Sequence, residues 1–218
     1  MTKRDLLRAI LVRDNIRAIM LYCCLPALVF FLISMAIMTA SGFTILEVLR
    51  DPAQQTEQSP FLGFLSDIGS WLWISAAAIC FARALSHEVA GQNTHKLLLK
   101  MVAWFSLVLA IDDFFMIHDE YIAEGLLIPL YAIFVIYLLV RFHRLIIQID
   151  GAAFVLAGAF LASSVVVDAV QEVIPVPYPL SQMLEEGFKF LGAAAWVYFC
   201  YRLAAHREDG AGRAQGAG

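Results

Sequence analysis

Residues 18–40 read AIMLYCCLPALVFFLISMAIMTA, an apolar run without a single charged side chain. A helix rises about 1.5 Å per residue, so about 20 such residues cross the ~30 Å hydrocarbon core of a bilayer. Pro26 fits this reading, because in a membrane helix neighbouring groups satisfy the carbonyl left without its usual donor. Further apolar runs fall at 62–83, 100–119, 122–142, 152–172 and 183–204. Their Val and Ile content would suit strands, but continuous apolar runs of about 20 residues favour helices.

Composition agrees with that reading. Hydrophobic residues make up 61% of the 218 positions and charged residues 16%, with a mean hydropathy of +0.76. A soluble domain carries about 25% charged residues. About six spans use up most of the length, which leaves no room for a sizeable soluble domain. The expected fold class is all-α, a polytopic membrane helix bundle. The chain divides into a cytoplasmic amphipathic segment at 1–17, a transmembrane domain at 18–204 and a disordered Gly/Ala-rich tail at 205–218.

Basic residues set the expected orientation. Lys3, Arg4, Arg8, Arg13 and Arg17 precede the first span; Arg83, Lys96 and Lys100 border the second connection; Arg141 and Arg144 border the fourth; Arg202, Arg207 and Arg213 follow the last span. The alternate connections hold only Arg50. By the positive-inside rule both termini are cytoplasmic. The expectation is a multi-pass protein of the cell inner membrane whose opposite face looks to the periplasm or exterior. The net charge of −4 averages two faces of opposite sign, and the basic inner face needs no nucleic acid to explain it.

The partners implied are the lipid bilayer and, for the segment 5–17, anionic inner-leaflet lipid. There Leu6, Leu7, Ile10, Leu11 and Ile16 alternate with Arg8, Arg13 and Arg17. Simple positive-inside flanking accounts for the same residues. The apolar run after them is longer than a signal-peptide core and is expected to stay as an anchor. Arg50 to Pro60 reads as a polar outer loop. Cys23, Cys24, Cys80 and Cys200 fall inside spans and are expected as buried free thiols. His87, His95, His143 and His206 lie at inner boundaries and are assigned to the cytoplasmic interface.

The acidic residues carry the functional signal. Asp67, Asp112, Asp113, His118, Asp119, Glu120, Glu124, Asp168, Glu172, Glu185 and Glu186 fall at corresponding ends of successive spans. Holding carboxylates in hydrocarbon is costly unless they are paired, protonated or metal-bound. On the third span, residues seven apart share a helix face, aligning Asp112 with Asp119 and Asp113 with Glu120. Asp112 and Asp113 lie ~18 Å from the inner boundary, past the midplane, and His118 lies further out on a different face from Asp113. A solvated helix end is the plainer account of Asp119, Glu120 and Glu124.

On the fifth span, Ser164, Asp168, Gln171 and Glu172 form one polar strip. Asp168 and Glu172 repel at i, i+4, so a cation or a proton is needed to hold both. The sixth span begins QMLEEGFK at 182–189, with Glu185 and Glu186 both within one turn of Lys189. Either an internal ion pair buries the lysine, or Lys189 is an electrostatic anchor while a glutamate acts as base or ligand. Asp67, beside Ser66 and Ser70, would aim an acid at the same level from the second span.

Carboxylates from several helices with one histidine suit a hard or borderline divalent cation whose identity the sequence leaves unspecified. The candidate ligands are Asp113, His118, Asp168 and Glu172, with Asp112 and Asp67 as additions; the candidate catalytic residues are Glu186, Glu185 and Lys189. The ExxH pairs of ferritin-like di-iron bundles are missing.

The stretch Glu185-Glu186-Gly187-Phe188-Lys189 resembles the EExxK motif of the PrsW-type membrane proteases, relatives of the CAAX-processing intramembrane metalloproteases. The resemblance covers five residues of the 218. It implies that Glu186 or Glu185 is a catalytic base acting on metal-activated water. The histidine motifs of that superfamily should follow on later helices; here His118 lies upstream and His206 is the one histidine downstream. Two function classes therefore stand open, with a third beside them. One is a metal-dependent membrane hydrolase acting on lipid or membrane peptide, and the other a carrier or sensor that binds a cation or proton. A structural membrane subunit without catalysis is the third.

Overall fold

The computed structural model describes residues 20–49, 52–59, 61–86, 93–171 and 177–206, with the backbone alone for Tyr22, Cys23, Gln54, Asp119 and Glu124. These residues form helices and no strand. In chain order a π-helical turn, Met20–Cys24, leads into α1 (Leu25–Ala40), followed by α2 (Ile45–Leu49), α3 (Pro52–Gln55), α4 (Phe64–Leu85), α5 (Asn93–Phe115), α6 (Ile117–Glu120), α7 (Glu124–Val170) and α8 (Tyr178–Ala205). The all-helical expectation holds for them. Phe64–Leu85 and the stretch Gly125–Val170 are long and apolar enough to cross a membrane, and α1 is a shorter apolar helix.

The chain divides into two compact units, residues 1–62 and 63–218. In the first, α1 closes through Ser41, whose N–H reaches the Ile37 and Met38 carbonyls. α2 precedes the stretch expected as a polar loop, Arg50 to Pro60, and within that stretch α3 forms one helical turn. α2 starts on a capping box: the Thr44 N–H and hydroxyl both donate to Glu47 Oε2 at 2.7 Å, and the Glu47 N–H returns to Thr44 Oγ1 at 3.3 Å. Cys24 is exposed, against the expectation of burial. The amphipathic reading of 5–17 lies outside the described residues.

In the second unit α4 follows Gly63, which sits at φ 71° where a side chain would be strained. Cross-helix contacts fix the directions. Ser70 meets Asp113 and Phe81 meets Trp104, so α4 and α5 are antiparallel. His95 meets Leu203, Ser106 meets Trp196 and Asp113 meets Lys189, so α5 and α8 are antiparallel as well.

α7 covers both the fourth and fifth expected spans together with the 143–151 connection between them. Its backbone leaves helical values at Phe142 and Asp150, and it turns back on itself there. Phe134 stacks on Phe105, Phe105 meets Trp196, and Trp196 meets Phe154. A straight helix would hold Phe134 and Phe154 ~30 Å apart, yet two rings connect them. Asp150 Oδ1 accepts the Ala153 N–H at 3.1 Å, the bond of an N-cap at the start of the returning half. The core centres on these aromatic rings, with Leu98, Leu99, Val102, Leu138, Ile146 and Phe199 fully or almost fully buried around them.

One histidine departs from its expected place. His95 is fully buried and its Nε2 donates to the Leu203 carbonyl at 2.9 Å, which ties the start of α5 to the end of α8. Cys80 and Cys200 are buried free thiols, as their sequence setting implied.

Candidate functional site

Asp112 and Asp113 are neighbours in sequence and about 100° apart around the α5 axis, so they serve different helix interfaces. Asp113 turns toward α4 and α8. Lys189 Nζ stands 2.7 Å from its Oδ1 and Ser70 Oγ donates to its Oδ2 at 2.8 Å. The Asp113 side chain is 7% exposed and that of Lys189 31%. Both carboxylate oxygens are thereby engaged, and the buried charge is matched by an ammonium and a hydroxyl. Lys189 thus bridges to another helix instead of pairing only within its own, which the spacing to Glu185 and Glu186 had suggested.

Asp112 turns toward α6 and α7. Its Oδ1 accepts the backbone N–H of His118 at 2.9 Å and lies 3.1 Å from His118 Nδ1. Tyr131 of α7 lies near the same carboxylate. The local chain path explains the geometry. α5 stops at Phe115 because Met116 adopts left-handed values, φ 50° and ψ 43°, a conformation costing about 1–2 kcal/mol outside glycine. Asp112 offsets that cost by satisfying one of the open N–H groups of α6. The break also removes the expected alignment of Asp112 with Asp119 and of Asp113 with Glu120, since no continuous helix links them.

A cavity of about 270 Å³ lies between α4, α5 and α8. α4 lines it with Ser66, Gly69 and Trp73, α5 with Asp113, and α8 with Glu186, Lys189, Phe190 and Ala193 among others. Ser66, Gly69 and Trp73 follow the i, i+3, i+7 pattern of one helix face, and Glu186, Lys189 and Ala193 follow the same pattern. Gly69 and Gly187 keep the walls thin; an added Cβ at Gly187 would meet nothing within 4 Å. Glu186 is exposed and makes no hydrogen bond or ion pair with a described residue, so it stands at the open side of the cavity.

The remaining sequence candidates among the described residues are absent from the cavity wall. Asp67 is exposed and absent from the cavity wall; one residue from Ser66, it points off the lining face of α4. Asp168 Oδ1 accepts a hydrogen bond from Gln171 Nε2 at 2.6 Å, a partner one turn along the same strip. Glu172 lies outside the described residues. Glu185 is half-buried on α8. Among the described residues no three Asp, Glu, His or Cys side chains come together to hold a metal ion. Ser70, Tyr131 and Trp73 were not singled out for these roles in sequence; the face shared by Ser66, Gly69, Ser70 and Trp73 was the available signal for two of them.

The family described as Domain of unknown function (DUF8692) matches residues 18–203, and the chain belongs to it. No curated protein and no solved structure matches the chain.

Proposed function

We propose that this family member is a multi-pass protein of the inner membrane, with both termini cytoplasmic, whose outward site binds a cation as a carrier or sensor. Support for the membrane setting comes from the apolar surface. Phe30 in the first unit, and Leu85, Leu126, Val140 and Ile147 in the second, are each about two-thirds or more exposed, as side chains that face hydrocarbon in apolar runs of about 20 residues would be. Basic residues at alternate helix ends support the orientation.

The observation that carries the binding reading is the Asp113–Lys189 pair at 2.7 Å in the wall of a cavity that Glu186 also lines. The pair is neutral as a unit, so Glu186 leaves the cavity with a net negative charge. Sealed vesicles containing the full chain should show saturable cation binding or uptake. Asp113→Asn, which removes the carboxylate charge 2.7 Å from Lys189, should weaken it. Absence of any bound or transported cation or proton would overturn the reading.

A hydrolase is the second reading, favoured by Glu186 and Lys189 lining one cavity. In that case Glu186 is the base and Glu186→Gln abolishes product formation with the fold intact. The described donors do not assemble a metal set, because Asp113 is committed to Lys189 and Ser70.

A further inference from the structure

We infer that the cavity between α4, α5 and α8 takes an organic monocation with an apolar tail, an alkylammonium amphiphile, and that Glu186 is its counter-charge. The inference rests on the cation-binding reading and names the class of cation. Charge decides the sign of the ligand. Lys189 and Asp113 compensate each other at 2.7 Å, whereas Glu186 has no partner among the described residues. An anion entering here would meet Glu186 and would have to compete with Asp113 for Lys189.

The lining decides the rest. An inorganic divalent ion needs six or so oxygen ligands, about that number for magnesium and more for calcium. This cavity offers one uncommitted carboxylate, with the Ser66 hydroxyl nearby on α4. Leu65, Trp73, Met183 and Phe190 make up most of the remaining wall. Such a surface suits methylene and N-alkyl groups, and an indole wall favours an alkylated ammonium through cation–π attraction. The volume of about 270 Å³ holds a head group and a few carbons, at the small end of ligand sites. A longer tail would leave by the open side where Glu186 stands.

The test uses the full chain in lipid nanodiscs and radiolabelled hexyltrimethylammonium, short enough to partition weakly into lipid. Saturable binding is expected, competed by unlabelled hexyltrimethylammonium and not by n-hexanol, which lacks the charge. Glu186→Gln should weaken binding about tenfold or more, the size of one charge-assisted contact, and Glu186→Asp should retain part of it. Gly187→Leu, which places a side chain in open space, should block the cavity at an unchanged thermal midpoint. Should Gly187→Leu fail to fold, the comparison of Glu186→Gln with Glu186→Asp decides alone. Binding that does not saturate, or that Glu186→Gln leaves unchanged, overturns the inference. So does displacement of the probe by Mn²⁺ at a site that Glu186→Gln abolishes, since the ligand is then inorganic. If hexyltrimethylammonium does not bind while vesicles take up an inorganic cation, only the ligand class falls. If neither cation binds, the cation-binding reading falls with it.

Discussion

Lys189 Nζ stands 2.7 Å from Asp113 Oδ1, across the interface between α5 and α8. Removing one partner leaves the other charge in a poorly solvated place, at a cost of about 3–5 kcal/mol when both are fully buried. Lys189 keeps 31% of its side chain exposed, so the expected loss is smaller, about 2–3 kcal/mol for Lys189→Met. Asp113→Asn should lose less, because the freed ammonium can move toward solvent. The double variant removes both charges and should recover part of the loss. Thermal unfolding of the four proteins in one detergent measures the cycle, and additive losses would show that the two residues do not interact.

Ser106 joins α5 to α8 through a buried relay. Its hydroxyl accepts the Trp196 indole N–H at 2.9 Å and donates to the Val102 carbonyl at 2.8 Å. Ser106→Ala leaves the indole donor buried without its acceptor, worth about 1–3 kcal/mol. Ser106→Thr keeps the hydroxyl and should lose less. Midpoints that rank the other way would remove the hydrogen bond from the account of stability.

Gly192 lets α8 approach the returning half of α7. A Cβ built there would lie 2.7 Å from Leu161 Cγ and 3.1 Å from the Leu161 backbone nitrogen. Gly192→Ala should destabilise by about 1–3 kcal/mol through overpacking. Trimming Leu161 to Ala in the same protein should relieve only part of this, because the backbone nitrogen stays. Full rescue would mean that the helices do not meet as closely as this.

These three contacts explain what could and could not be read from sequence. Apolar run length was enough for helices and placed a connection at 143–151, though not that helical geometry would persist through much of it. Asp113, Glu186 and Lys189 stood out because charges are rare in such runs. Their partners did not, because Asp113 meets Lys189 only when α5 and α8 adopt the register held by Ser106–Trp196 and His95–Leu203. Nothing near Met116 marks a helix end, since neither glycine nor proline is present. The break depends on Asp112 accepting the His118 N–H, and without it the heptad alignment of the acids was the natural reading. The burial of His95 was missed for the same reason: its acceptor lies on another helix.

The capping box of α2 supplies a pH dependence outside the apolar spans. Hydrogen bonds from the Thr44 N–H and hydroxyl hold the Glu47 carboxyl below its ordinary value of 4.5. A lowered folded-state value means that the capping contribution is present above the unfolded value and is lost as pH falls through the folded one. Carboxyl chemical shifts should show Glu47 titrating below its ordinary value of 4.5, with hydrogen exchange of the Glu47 amide accelerating over the same interval once corrected for intrinsic rates. In Thr44→Val, which removes the hydroxyl donor, the Glu47 value should move back up. A Glu47 titration at or above its ordinary value of 4.5 would remove the box.

Orientation is the prediction on which the proposed site depends most directly. If the site faces outward, single cysteines introduced at Ser86 and His206, in a background with Cys23, Cys24, Cys80 and Cys200 replaced by serine, should resist an impermeant maleimide in intact cells and react after permeabilisation. A cysteine at Glu57 or Tyr121 should react without permeabilisation. The physical reason is the asymmetry of charge: Arg83, Lys96, Arg141, Arg144 and Arg202 gather at one set of helix ends, and translocating them across the membrane is disfavoured. Asp113 and Lys189 lie near the other ends of α5 and α8. The opposite labelling pattern would turn the cavity toward the cytoplasm. It would leave the Asp113–Lys189 geometry untouched and replace an external cation with a cytoplasmic one as the species that reaches Glu186.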